Sequence, residues 1–241
     1  MENNNLNFVN NQYSESQSNV KSFMASVFSW MFLALIITAV ASYWFASDMS
    51  LIRMLVTEEG KMSVLGWVVM LAPIGFVLLM SFAFNRLSYP TLIILFLTYA
   101  ALVGISLSFI LLVYTASSVF LTFSITAGMF GTMAVVGYVT KTDLTSFGRI
   151  MMMGLVGIII ASVVNFFMKS DGLSYIISYV GVAVFTGLTA YDVQKLKNIG
   201  EGTTYGEEQT KKLSILGALT LYLDFINLFL MLLRLFGDRK N

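Results

Sequence analysis

The chain has 241 residues, 57% hydrophobic and 11% charged, with a net charge of +1 and a mean hydropathy of +0.81. An average soluble domain is about 45–50% apolar and about 25% charged, so this chain cannot cover a water-facing surface, and lipid must solvate much of its outside. The near-neutral charge leaves no electrostatic footprint for nucleic acid, and the absence of Cys and His excludes disulfides, thiol nucleophiles, His-based metal sites and the usual near-neutral pH switch.

Residues 1–22 (MENNNLNFVNNQYSESQSNVKS) are rich in Asn, Ser and Gln and lack the basic and apolar regions of a cleaved signal peptide. They read as a disordered polar tail ahead of a transmembrane domain at 23–237, with a short C-terminal tail at 238–241. Seven apolar segments follow at 24–46, 63–84, 91–113, 120–139, 150–168, 174–191 and 213–236. Each approaches the roughly 20 residues a spanning helix needs. Backbone amides in lipid need internal partners, and the runs are continuous where barrel strands would alternate. The expected fold class is therefore all-α, integral membrane, with seven transmembrane helices. Short links between spans two and three, three and four, and five and six make those helices antiparallel neighbours. Gly128, Gly131, Gly154, Gly157, Gly181 and Gly187 recur within the spans and read as close-packing positions.

With the N-terminus inside, eight Lys/Arg fall on the inner side and six on the outer. The links between spans four and five and between six and seven carry six of them, so the N-terminus is expected in the cytoplasm and the C-terminus outside. The outer link at 47–62 holds Asp48, Glu58 and Glu59 with Arg53 and Lys61, and reads as a solvated loop. Glu201, Glu207 and Glu208 read as solvated acids of the last cytoplasmic link.

Three charged residues stand out. Asp224 lies near the centre of span seven, where a carboxylate costs about 2.5–3.5 kcal/mol on insertion scales and should face protein or a water-filled cavity. Thr220 and Asn227, four residues before it and three after, share its helical face as candidate pore-lining groups. Asp192 closes span six beside Lys195 and Lys197, and Arg86 ends span two, so both belong to one membrane face. Asp224 is about 16 Å from that face at 1.5 Å per residue, so a tilted helix or an open cavity is needed to join it to Asp192. Two carboxylates in contact do not readily both ionise, and such a pair titrates as a unit.

The stretches AYDVQKLK at 190–197 and LYLDFINLFLMLLRLFG at 221–237 resemble the Bax inhibitor-1 (transmembrane Bax inhibitor motif) family, in its bacterial YccA/YetJ-like branch. The likeness covers about residues 20–237. It implies a central seventh helix wrapped by the other six, and a pH-sensing pair, Asp192 and Asp224, that gates a calcium leak. It also implies a closed-state latch at Arg86, although relatives often carry a basic cluster where this chain has Asn85-Arg86. Calcium is then the permeant ion, held transiently by the two aspartates, since two carboxylates cannot fill its shell of six to eight oxygens. No cofactor is expected, and the address is a bacterial cytoplasmic membrane.

Other classes fit less of the sequence. An intramembrane aspartyl protease also pairs acids on successive helices, and Tyr191-Asp192 matches its first motif. Its Gly-x-Gly-Asp is replaced here by Leu221-Tyr222-Leu223-Asp224, and Pro73 and Pro90, the two prolines, cannot supply its Pro-Ala-Leu. A membrane-bound AAA+ protease is an alternative partner, with the 1–22 tail as its handle. A proton-coupled transporter lacks support from an inverted repeat or Pro-broken helix pair.

Overall fold

A computed structural model describes residues 2–57, 59, 61–202 and 206–240, with side chains from residue 18 onward. The chain order is α1 (Glu2–Ser47), α2 (Met49–Leu55), α3 (Val64–Phe82), α4 (Tyr89–Val113), α5 (Ala116–Val139), α6 (Thr145–Met168), α7 (Asp171–Glu201) and α8 (Glu207–Phe236). Seven of these are long and apolar enough to cross a membrane, counting α1 from Ser18 and omitting α2. The protein is an all-α membrane protein.

Starts of helices follow the sequence closely. Ser63, Ser88, Thr115 and Ser170 cap α3, α4, α5 and α7, each accepting a hydrogen bond from a backbone amide of the first turn. Pro90 sits in the first turn of α4, where its missing N–H costs nothing.

Several boundaries differ from the sequence expectation. No break appears at residue 22, because α1 runs through it, and Val20 and Phe23 are already buried, one turn apart. Side chains through residue 17, most of the expected tail and of the protease handle with it, lie outside the described ones. Hydropathy ended span six at residue 191, but α7 continues to Glu201. Its last turns are amphipathic, with Val193, Leu196 and Gly200 buried and Lys195 and Asn198 exposed. The link at 47–62 contains α2, which buries Ile52 and Leu55. Asp48 caps it, and the Ser50 hydroxyl and amide hold this carboxyl below its ordinary value. Glu59 pairs with Lys61 at 2.9 Å, while Glu58 lies outside the described residues. Glu201 and Glu207 belong to helix ends, facing Lys197 at 3.9 Å and Lys211 at 2.5 Å. The last residues are no free tail either: 238–240 are hydrogen-bonded back to the turn between α4 and α5.

At the centre of the bundle is α8, which packs against α1, α4, α5 and α7. Tyr222, Leu221, Leu228 and Ile215 on it are fully buried. Four helices form the direct wrap. Of the remaining two long helices, α3 leans on α4 and α6 on α7, as an outer layer. Their surfaces match that position, with Phe82, Phe166 and Phe167 exposed where lipid is the solvent.

The glycine expectation holds in part. Gly154, Gly181 and Gly187 abut Val184, Met231 and Met151, but Gly128, Gly131 and Gly157 have open space where a Cβ would stand. The closest helix contact is at a glycine the sequence did not single out. A Cβ on Gly137 of α5 would run into the backbone of Ala190 on α7, so only glycine allows this approach, two residues from Asp192.

Candidate functional site

Register between α7 and α8 is set by small residues. Gly217 leaves room for Leu196, whose Cδ2 lies 2.6 Å from where a Cβ would be, and Gly181 does the same for Met231. One turn from Leu196 along α7 stands Asp192, and two turns from Gly217 along α8 stands Asp224. This offset brings the acids together although they lie at different distances from the α7–α8 link. Asp192 is nine residues before Glu201 and Asp224 seventeen after Glu207, or about 14 and 26 Å along their axes.

The rotation of α8 is fixed by Tyr222 on its opposite side. The Tyr222 hydroxyl lies 2.7 Å from Thr38 Oγ1, and Thr38 donates to the carbonyl of Ala100 at 2.9 Å. Since the Thr38 proton is committed, Tyr222 is the donor in that pair. Its ring meets Phe96 and Tyr99 edge-on at 6.2 and 5.6 Å, an arrangement aromatic quadrupoles favour. With Tyr222 held against α1 and α4, Asp224, two residues on, points toward α7.

There the carboxyls of Asp192 and Asp224 face each other, close enough for their charges to be coupled. Both residues are buried, at 8% and 4% exposure, so bulk water does not separate them. Two acids so placed can share a hydrogen bond once one of them carries a proton. Asp224 Oδ2 and, on α7, Thr186 Oγ1 are buried side-chain oxygens without a hydrogen-bond partner among the described residues. Buried polar groups are almost always paired, which makes two orphans on the helices of the acid pair informative. Among the described residues no third acid completes a cluster able to hold a metal ion.

The other expected site residues are placed differently. Asn227 donates to the carbonyl of Leu223 at 2.8 Å and Thr220 to that of Leu216 at 3.1 Å. The Thr220 hydroxyl and one Asn227 N–H are thus engaged on their own helix, and no hydrogen bond joins either residue to Asp224. Arg86 is exposed in the turn between α3 and α4, and among the described residues no ion pair joins it to either aspartate. The reason is architectural: α3 packs on α4 and not on the α7–α8 seam. The neighbouring Phe84 reaches α8 instead, with Lys212 Nζ 5.1 Å from its ring centroid. The cation nearest the pair in sequence is Lys195, one turn beyond Asp192, and its charge acts on that carboxyl.

One residue of the site escaped the sequence reading. Gln194, 8% exposed, is bound to the loop between α5 and α6 at both ends of its amide. Oε1 accepts from the Leu144 amide at 2.7 Å and Nε2 donates to the Thr142 carbonyl at 2.8 Å. Leu144 cannot cap α6 with its own side chain, so Gln194 and Asp143 between them serve that end. Asp143 accepts from the Thr145 amide at 2.9 Å, and the Thr145 hydroxyl and amide, with Arg149, hold its carboxyl below its ordinary value. The loop is thereby folded over α7 two residues from Asp192. The signal was present in Tyr191-Asp192-Val193-Gln194, where Gln shares the polar run but not the solvated face.

With this geometry in view, comparison with known proteins is decisive. The family described as inhibitor of apoptosis-promoting Bax1 matches residues 20–241. The chain belongs to the Bax inhibitor-1 family. It is 46% identical over 227 residues to the inner membrane protein YbhL of Escherichia coli strain K12, covering 94% of this chain and 95% of that one. It is 44% identical to an uncharacterized protein of Borreliella burgdorferi, over 91% of this chain and 93% of the relative. A Rickettsia prowazekii protein, RP147, also uncharacterized, is 44% identical over 92% of both chains.

Proposed function

We propose that this Bax inhibitor-1 family member is a pH-sensitive calcium, or more broadly cation, leak channel gated by the Asp192–Asp224 pair. The observation that carries the reading is the pair of buried, coupled carboxyls that α7 and the central α8 bring together. While one proton is shared, the two helices are joined at mid-bundle and the seam is shut. Loss of that proton sets two negative charges against each other in a poorly solvated site, where repulsion far exceeds its value in water. The helices then separate, and the carboxylates, Thr186 and released backbone carbonyls offer hard oxygens to a passing cation. Two carboxylates without a third acid suit transit better than storage. The loop held by Gln194 lies beside the pair and forms part of the closure toward the α7–α8 link.

Its address, in this reading, is the bacterial cytoplasmic membrane with the N-terminus inside, supported by the Escherichia coli relative's being named an inner membrane protein and by the Lys/Arg bias. The experiment is fluorescent calcium flux into proteoliposomes across a pH series. Wild-type flux rises with pH, and Asp224→Asn loses the pH dependence. Unchanged flux and unchanged pH dependence in Asp224→Asn overturn the reading.

A further inference from the structure

At the membrane face opposite the α7–α8 link, the chain after α8 turns back on the bundle. The Thr115 amide donates to the Asp238 carbonyl at 3.0 Å and the Lys240 amide to the Val113 carbonyl at 2.8 Å. Tyr114 and Arg239 form an isolated antiparallel bridge. Two side chains complete the attachment. Ser118 Oγ accepts from the Asp238 amide at 2.9 Å, and Lys240 Nζ donates to the Leu111 carbonyl at 2.7 Å. Gly237 makes the turn fit: a Cβ there would stand 2.6 Å from the Tyr114 ring. Asp238 and Lys240 make four hydrogen bonds to this turn and the helix ends beside it, which is a built contact.

The place they cover is the mouth of a polar line. Ser118, Thr122 and Thr126 recur every four residues on α5 and are all buried, Thr126 completely. This face of α5 looks onto α7 and α8. Phe123 and Phe130 flank Thr126 in sequence, and both rings pack on Phe225 at 5.3 and 5.5 Å. Phe225 is the residue after Asp224. The line starts under the attached segment and runs on the helix whose Phe123 and Phe130 reach the residue after Asp224, with the Thr126 hydroxyl donating to the Thr122 carbonyl at 2.8 Å.

We propose that Gly237–Lys240 is a strap that closes this end of the α5–α8 seam, and that its release opens a path for water and small hydrated cations along α5 toward Asp224. The cation half of the proposal rests on the channel reading above. The strap half does not.

The chain has no cysteine, so single cysteines report without background. In nanodiscs, Thr122→Cys in the full chain should react slowly with a hydrophilic maleimide, and ending the chain at Phe236 should speed labelling about tenfold or more, since the four hydrogen bonds that tie the segment to the α4–α5 turn and its flanks are lost. Equal rates overturn the strap. Gly237→Ala, which disturbs the turn without removing it, should give an intermediate rate. Tyr114→Cys with Arg239→Cys tests the converse and guards against misfolding of the shortened chain, because facing residues of an antiparallel bridge lie within disulfide reach. Oxidised, this variant should pass calcium in proteoliposomes more slowly, and reductant should restore the flux. Labelling that responds to the strap while flux ignores both truncation and cross-link overturns its place in the cation path. Flux that follows Asp224 but ignores the strap, together with unchanged labelling, overturns the proposal and spares the channel.

Discussion

Replacing Gln194 with Ala removes both hydrogen bonds between α7 and the α5–α6 loop, the 2.7 Å bond from the Leu144 amide and the 2.8 Å bond to the Thr142 carbonyl. Thr142 is exposed and Leu144 half-buried, so water can reach the released groups, and the loss is the net worth of each bond rather than its full desolvation penalty. At about 0.5–1.5 kcal/mol per bond, the loop loses roughly 1–3 kcal/mol of local stability, or about a 5- to 150-fold rise in its opening equilibrium. Hydrogen exchange read by mass spectrometry over peptides spanning 140–148 measures this directly. Protection should fall by that factor there and stay constant in α4 and α8. Gln194→Glu keeps the acceptor for Leu144 but sets an oxygen against the Thr142 carbonyl, so it should lose at least as much. Unchanged exchange at 140–148, or a loss spread evenly over the helices, refutes the assignment of Gln194 as the loop's anchor.

Tyr222→Phe removes the donor to Thr38 while leaving the ring contacts, and should lower stability by about 1 kcal/mol, seen as a lower Tm in detergent; Tyr222→Ala should cost about 3–5 kcal/mol. Gly137→Ala should destabilise markedly, because its methyl meets the Ala190 backbone, whereas Gly128→Ala, with open space around it, should be neutral or mildly stabilising; similar melting for the two variants contradicts the close approach of α5 and α7. The Asp143 cap has a defined pH sign. Its carboxyl sits below the ordinary value of 3.8 when folded, so the cap's contribution is fully present above pH 3.8 and is lost as pH falls through the lower folded value. Exchange at 143–148, corrected for intrinsic rates, should therefore accelerate at the acid end of a titration in wild type and not in Asp143→Asn.

Legibility of the fold followed hydropathy. The membrane spans were readable because lipid demands continuous apolar runs, and the cap residues marked several of their starts. Ends were lost wherever a helix left lipid but stayed helical, as α7 does after residue 191, since Val193 and Leu196 are buried by protein among polar neighbours. In the candidate site, Asp224 announced itself by its cost in an apolar span and Asp192 by closing the span before it, and motif resemblance gave the pair its expected role. Their contact depends on the register set at Gly217 and Gly181, a tertiary property that spacing along one chain does not carry. Arg86 failed to join them because the outer position of α3 is likewise a packing outcome. Gln194 and the 237–240 strap were hidden for a further reason: apart from Ser118 their partners are backbone groups distant in sequence, which carry no residue-type signature.

The central claim is that Asp192 and Asp224 act as one proton-sharing unit that controls cation passage. A double-mutant cycle on the pH dependence of calcium flux tests it most directly, with wild type, Asp192→Asn, Asp224→Asn and the double variant in the same lipid. Groups that act as a unit are non-additive. Each single variant should abolish the pH response, and the double variant should behave like either single one. Two singles that each retain a shifted pH response, with shifts that add in the double variant, would contradict the account.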